Sequence, residues 1–150
     1  MSDAATKAEK QLGYWMGISA FLYFSGGLVF LLLPRPLLEL LDAIGKLLHL
    51  AAVLPGAMSA ERFWNLLAFS MAMTITTASV LVARDPAANK GFCIPVMFSK
   101  AASCLSALVY FLVVSGAFAH LVIFLTDFPL FVLTVFFYQR ACSTRMTSEK

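Results

Sequence analysis

The amino-acid sequence predicts an all-α fold: one integral membrane four-helix bundle over residues 1–150, with an amphipathic interfacial helix between the first and second spans. Three observations predict it. Of the 150 residues, 61% are hydrophobic and only 13% charged, where a soluble domain is about half apolar and a quarter charged. Four apolar stretches each reach the roughly 20 residues that a helix needs to cross a hydrocarbon core of about 30 Å. The breaks between them are rich in proline and glycine, such as "PRP", "RDP" and "SG", which stop helices or turn the chain.

The first span covers about residues 12–33 and stops at Pro34. It is too long for the apolar core of a signal peptide and has no clear small-residue cleavage site, so it reads as an uncleaved anchor. Gly13, Gly17, Ala20 and Gly27 line one side of it. In lipid, where burying leucine gains nothing, such small residues mark a packed face.

A helix over about residues 36–52 follows. Arg35, Glu39, Asp42, Lys46 and His49 fall on one narrow stripe, with leucines and Ile44 on the rest. That is the pattern of a helix lying in the membrane interface. Pro55 and Gly56 break it before the second span, about residues 62–83. There Glu61, Asn65, Ala68, Ala72, Thr76 and Ser79 share a face, and Ser70, Thr74 and Thr77 form a line opposite. The hydroxyls of that second line are expected to bond their own preceding-turn carbonyls.

The third span, about residues 94–114, has Ser99, Ser103, Ser106 and Tyr110 in register, with Lys100, Cys104 and Ala107 on the adjoining flank. Ser115 and Gly116 then make a link so short that the third and fourth helices must be antiparallel neighbours. The fourth span, about residues 119–138, carries His120, Asp127, Thr134 and Tyr138 in one sector, with Pro129 on the far side.

Charge sets the expected orientation. Lys7, Lys10, Arg84, Lys90, Arg140, Arg145 and Lys150 fall on one side, and Arg35, Lys46 and Arg62 on the other. The positive-inside rule places both termini in the cytoplasm. "GLVFLLLPRPLLELL" and the basic tail resemble, as a class, small bacterial four-helix proteins of the inner (plasma) membrane, which is the expected location.

Asp127 is the residue most in need of a reason, because a charge at membrane depth is costly. Lys100 is the other ionisable group well inside a span. Counted from the shared turn, it lies about five residues deeper, an offset of roughly 8 Å. Two arrangements are open. The pair closes directly or through water, or Lys100 extends to the cytoplasmic surface while a protonated Asp127 bonds Tyr110, Thr76 or a carbonyl. Either way, both residues are expected to face protein. The predicted intramembrane polar network is Asp127, Lys100, Ser103, Tyr110, Thr76 and Thr134, and a surface polar cluster is expected at Glu61, Asn65 and His120.

Several chemistries find no support. The net charge of +3 is dispersed, unlike the clustered stripe of a nucleic-acid binder. Cys93, Cys104 and Cys142 form no C-x-x-C pair and no metal-ligand spacing. His49 and His120 both lie near the outer surface, which disfavours paired haem ligation at mid-depth. A quinone pocket at Ser99, Ser103 and Tyr110 stays open. No cofactor and no catalytic residue set is assigned, and an enzymatic role is disfavoured.

"ERFWN", Glu61 to Asn65, resembles the start of the second helix in the glutathione-using membrane eicosanoid enzymes, which are similar in length and span number. The resemblance covers five residues. The further arginine and acid that the family carries downstream are missing, and the charge bias puts that end outside, so the activity is not transferred. The expected function is that of an accessory, assembly or structural subunit, packing against other membrane subunits or copies of itself. The alternative is a small oligomeric proton-coupled transporter using Asp127 with Lys100, hinged at Pro129, since transporters often place broken helices at their midplane site.

Overall fold

Prolines fix the first two helix boundaries. The computed structural model describes residues 3–50 and 58–148, with side chains described over 7–50 and 65–143. Helix α1, Asp3–Leu32, ends because Pro34 disfavours a helical conformation at the residue before it, and Leu33 turns away at φ −128°, ψ 43°. Pro34 then opens α2, Pro34–Leu47, a position where its missing N–H costs nothing. Helix α2 closes on a left-handed residue, His49 at φ 56°. The Leu50 N–H reaches back to the Gly45 carbonyl at 2.9 Å. Glycine usually occupies such a position; here a histidine does.

Helix α3, Met58–Arg84, stops at Asp85. The Asp85 carboxylate accepts the Ala88 N–H at 3.0 Å, capping the one-turn helix α4, Pro86–Asn89. A 3₁₀ turn at Lys90–Phe92 leads into α5, Cys93–Val109. Pro95 lies in its first turn, where no helical N–H is needed. The end of α5 widens into a π-type turn over Tyr110–Ser115, and Gly116 at φ 58° donates its N–H to the Phe111 carbonyl at 3.0 Å. Helix α6, Phe118–Ser148, continues through Pro129, which has no N–H for the Leu125 carbonyl.

Among the described residues, four helical stretches are long and apolar enough to cross a membrane: Lys7–Leu32, Asn65–Arg84, Pro86–Ser115 and Phe118–Ser143. The helices outrun the apolar segments read from the sequence, because hydropathy marks which residues suit lipid and not where backbone hydrogen bonding ends. Residues 51 and 52 of the interfacial segment, together with Pro55 and Gly56, lie outside the described residues.

Helix α1 packs most extensively on α3 and next on α6, α5 packs on α6, and α3 touches α5 more lightly. The α1–α3 seam is the small-residue face. A Cβ on Gly27 would stand 3.0 Å from the Ala72 Cβ, and one on Gly13 would stand 2.9 Å from the Pro86 ring. The fully covered apolar residues gather at one end of the bundle, with Leu12, Met16, Val82, Cys93, Val96 and Ala141 in one cluster. Towards the other end Phe30, Leu66, Leu112 and Leu125 lie exposed.

One predicted face is rotated. On α5 the covered side is Cys93, Val96, Cys104 and Ala107, with Lys100 half-buried among them, while Ser106 and Tyr110 are exposed. Ser106 satisfies its hydroxyl on its own helix, at the Ala102 carbonyl. Its outward position therefore strands no polar group, and the inward side is left to Lys100 and small side chains.

Candidate functional site: a covered ion pair where three helices meet

Lys100 on α5 and Asp127 on α6 are brought together by the tight link between their helices. The offset along the axis is spanned by the lysine side chain itself, and Nζ donates to Oδ1 at 2.8 Å. Each side chain keeps only 14% of its surface exposed. Helix α1 closes the third side, with the Lys100 ammonium 4.5 Å from the centre of the Tyr23 ring, within the range of cation–π attraction. Lys100 thus turns inward to Asp127 and not out to the surface.

Tyr23 is 6% exposed and Ser19, one turn earlier on α1, is fully covered. The two hydroxyls face each other along α1, and neither is engaged by another helix. Buried polar groups are usually hydrogen-bonded; on α1, Gln11 Oε1 and the Ser19 and Tyr23 hydroxyls are buried with no partner on another helix among the described residues.

A second tie lies two turns along α6. The Trp15 indole donates from Nε1 to Thr134 Oγ1 at 2.9 Å, and that hydroxyl in turn donates to the Leu130 carbonyl at 2.6 Å. The Trp15 and Phe137 rings pack with centres 5.8 Å apart. At the turn, Ser115 Oγ and His120 Nδ1 lie 3.1 Å apart, with Tyr110 against the imidazole at 5.6 Å. His120, Asp127 and Thr134 recur at intervals of seven along α6, and the next position in that series, Ala141, is buried against the apolar cluster. Trp15, Ser19 and Tyr23 answer them at intervals of four along α1.

Of the predicted network, Lys100 and Asp127 therefore meet, and Thr134 serves a separate link to α1. Thr76 does not join: its hydroxyl bonds the Ala72 carbonyl of its own helix at 2.8 Å, as Thr74 and Thr77 bond theirs. Ser103 lies half-buried one turn from Lys100 without a hydrogen bond to the pair. Tyr110 is half exposed and turned to His120. Asn65 does not meet His120, because α3 and α6 scarcely touch, and the side chain of Glu61 lies outside the described residues. Sequence reasoning missed Trp15, Ser19 and Tyr23. Their four-residue spacing on the flank of the glycine line was the available signal.

Among the described residues, no three histidine, cysteine or carboxylate side chains gather as a metal site requires. Comparison with known proteins finds no matching family model, curated protein or solved structure.

Replacing Thr134 by valine keeps the shape and removes the acceptor for Trp15. An unmet buried donor costs about 1–3 kcal/mol, so Thr134→Val should lower thermal stability in detergent. It should also alter the tryptophan emission, whereas Thr77→Val, on an exposed position, should leave both unchanged.

Proposed function

We propose that this chain is an integral membrane protein working as a non-catalytic accessory or structural subunit of a membrane complex. Its α1, α3, α5 and α6 cross the bilayer, α2 lies in the interface, and both termini face the cytoplasm of a bacterial inner membrane. The observation that carries the functional part is the closed Lys100–Asp127 pair under Tyr23. Asp127 is the sole carboxylate within the four predicted apolar spans, and its charge is met by one fixed partner. Such a pair specifies which helices adjoin; a carrier needs a group that exchanges partners.

The exterior supports the membrane part. Phe21, Phe98, Leu112 and Val113 each leave more than two thirds of their surface uncovered: 69%, 76%, 70% and 78%. An apolar shell of this extent suits lipid or another subunit. On α2, Arg35, Glu39 and Lys46 are exposed alongside Leu40, Ile44 and Leu47, as is His49 just past its end. A helix at the boundary of headgroups and acyl chains has both environments to satisfy.

One observation favours the second reading, a proton-coupled carrier: the buried Ser19 and Tyr23 hydroxyls, engaged by no other helix, lie beside a carboxylate two residues from Pro129. The double variant Lys100→Met/Asp127→Leu separates the two, because it removes both charges together and strands neither. A subunit should accumulate normally and keep its stoichiometric partner through mild-detergent purification. If wild-type proteoliposomes show proton-coupled flux and the double variant has lost it while still folded, the subunit reading is wrong and the carrier reading stands.

A further inference from the structure

The geometry points to a binding site for an anionic phospholipid on the α1–α3 seam. A groove of about 740 Å³ runs along this pair at the end of the bundle that carries Lys10 and Arg84. Its floor is Gly13, Gly17 and Ala83, where the two helices approach closely and short side chains keep the floor of the groove low. Ile18 and Phe21 form an apolar wall, 55% and 69% exposed.

The two cations at the rim are available. Among the described residues, neither Lys10 nor Arg84 forms an ion pair, and both are exposed. Their acidic sequence neighbours, Glu9 and Asp85, do not line the groove. Asp85 is already engaged at the N-terminus of α4, where it accepts the Ala88 N–H.

The dimensions fit a lipid. From Lys10 to Phe21 the groove follows about 16 Å of helix, roughly half of a 30 Å hydrocarbon core and so the depth of one leaflet. Charge at the rim and oil below is the order found in an anionic phospholipid. Its phosphate would sit between Lys10 and Arg84, beside the exposed ring of Tyr14, with one acyl chain along Ile18 and Phe21. A zwitterionic headgroup would bring its own cation against both side chains. A soluble phosphate would leave the apolar wall uncovered. Basic pockets between membrane helices recognise anionic headgroups on this principle.

The inference rests on the membrane-spanning part of the proposed function and is independent of the subunit role. It is tested with the purified full chain in mild detergent, by native mass spectrometry with phosphatidylglycerol or phosphatidylcholine of identical chains. The wild type should retain phosphatidylglycerol preferentially, with no displacement by excess glycerol 3-phosphate. Lys10→Gln/Arg84→Gln should weaken that retention about 25-fold, at about fivefold for each surface cation, and leave phosphatidylcholine unaffected. Lys46→Gln, on α2 at the opposite end, should change neither. Equal retention of the two lipids by the wild type, an equal fall with Lys46→Gln, or release by glycerol 3-phosphate would each overturn the site. Should the double variant fail to fold, raising salt on the wild type must release phosphatidylglycerol selectively, and failure to do so overturns it as well. A wrong membrane assignment shows itself separately, as a chain that leaves membranes on carbonate extraction.

Discussion

Asp127→Asn is expected to destabilise the bundle by about 3–5 kcal/mol, the range for removing one member of a desolvated pair and stranding the other. Lys100 would keep its charge under the Tyr23 ring with no anion to meet it. Lys100→Met should cost a comparable amount, because the carboxylate is then the stranded group. The double variant Lys100→Met/Asp127→Leu should recover most of the loss, since two apolar side chains of similar volume need no desolvated charge to be paired. Thermal unfolding of the wild type, Lys100→Met, Asp127→Leu and the double variant in one detergent closes the cycle. Simple additivity of the two single changes would mean that the 2.8 Å contact carries no coupling, and that the side chains act on stability independently.

Gly27→Leu should also destabilise the bundle, by a smaller amount, through shape and not charge. Any Cβ at this position meets the Ala72 Cβ at 3.0 Å, a short side chain that cannot rotate aside, and the Met73 methyl at 3.2 Å. The larger leucine forces α1 and α3 apart along the seam that holds them, where overpacking costs typically about 1–3 kcal/mol. Gly26 supplies the control, because a Cβ there meets nothing within 4 Å. Gly26→Ala should be neutral or raise stability by no more than about 1 kcal/mol, the helical preference of alanine over glycine. Equal effects at the two adjacent glycines, read by resistance to unfolding in sodium dodecyl sulfate, would remove the seam from the account.

The helix plan was legible in the sequence because lipid-compatible composition, proline and glycine each act locally. Pro34, Asp85 before Pro86, and Ser115-Gly116 all mark real boundaries. The packed side of α1 was legible too, since Gly13 and Gly27 can hardly serve another purpose in an apolar helix. Faces lined with hydroxyls were harder to read. A serine or threonine in a helix can satisfy itself on the carbonyl four residues back, and Thr76 and Ser106 do so, which frees them from pointing inward. The sequence placed Lys100 and Asp127 on neighbouring helices but left open whether they close, because lysine can reach in either direction. Tyr23 and Trp15 were missed for a tertiary reason: only the approach of α1 to α5 and α6 brings the Lys100 ammonium over one ring and the Thr134 hydroxyl to the other.

The seven-residue rhythm of α6 bears on how the chain is built. His120, Asp127 and Thr134 tie this helix to α5 and α1, yet α6 is the last of the four to leave the ribosome. In a bilayer, α1 and α5 would wait with an unneutralised ammonium and an idle indole until it arrives. Nascent chains arrested before α6 should therefore be recognised by membrane proteases as incomplete, while those released just beyond it should be spared. The fourth of these helices thereby supplies the anion and the hydroxyl that the earlier ones lack.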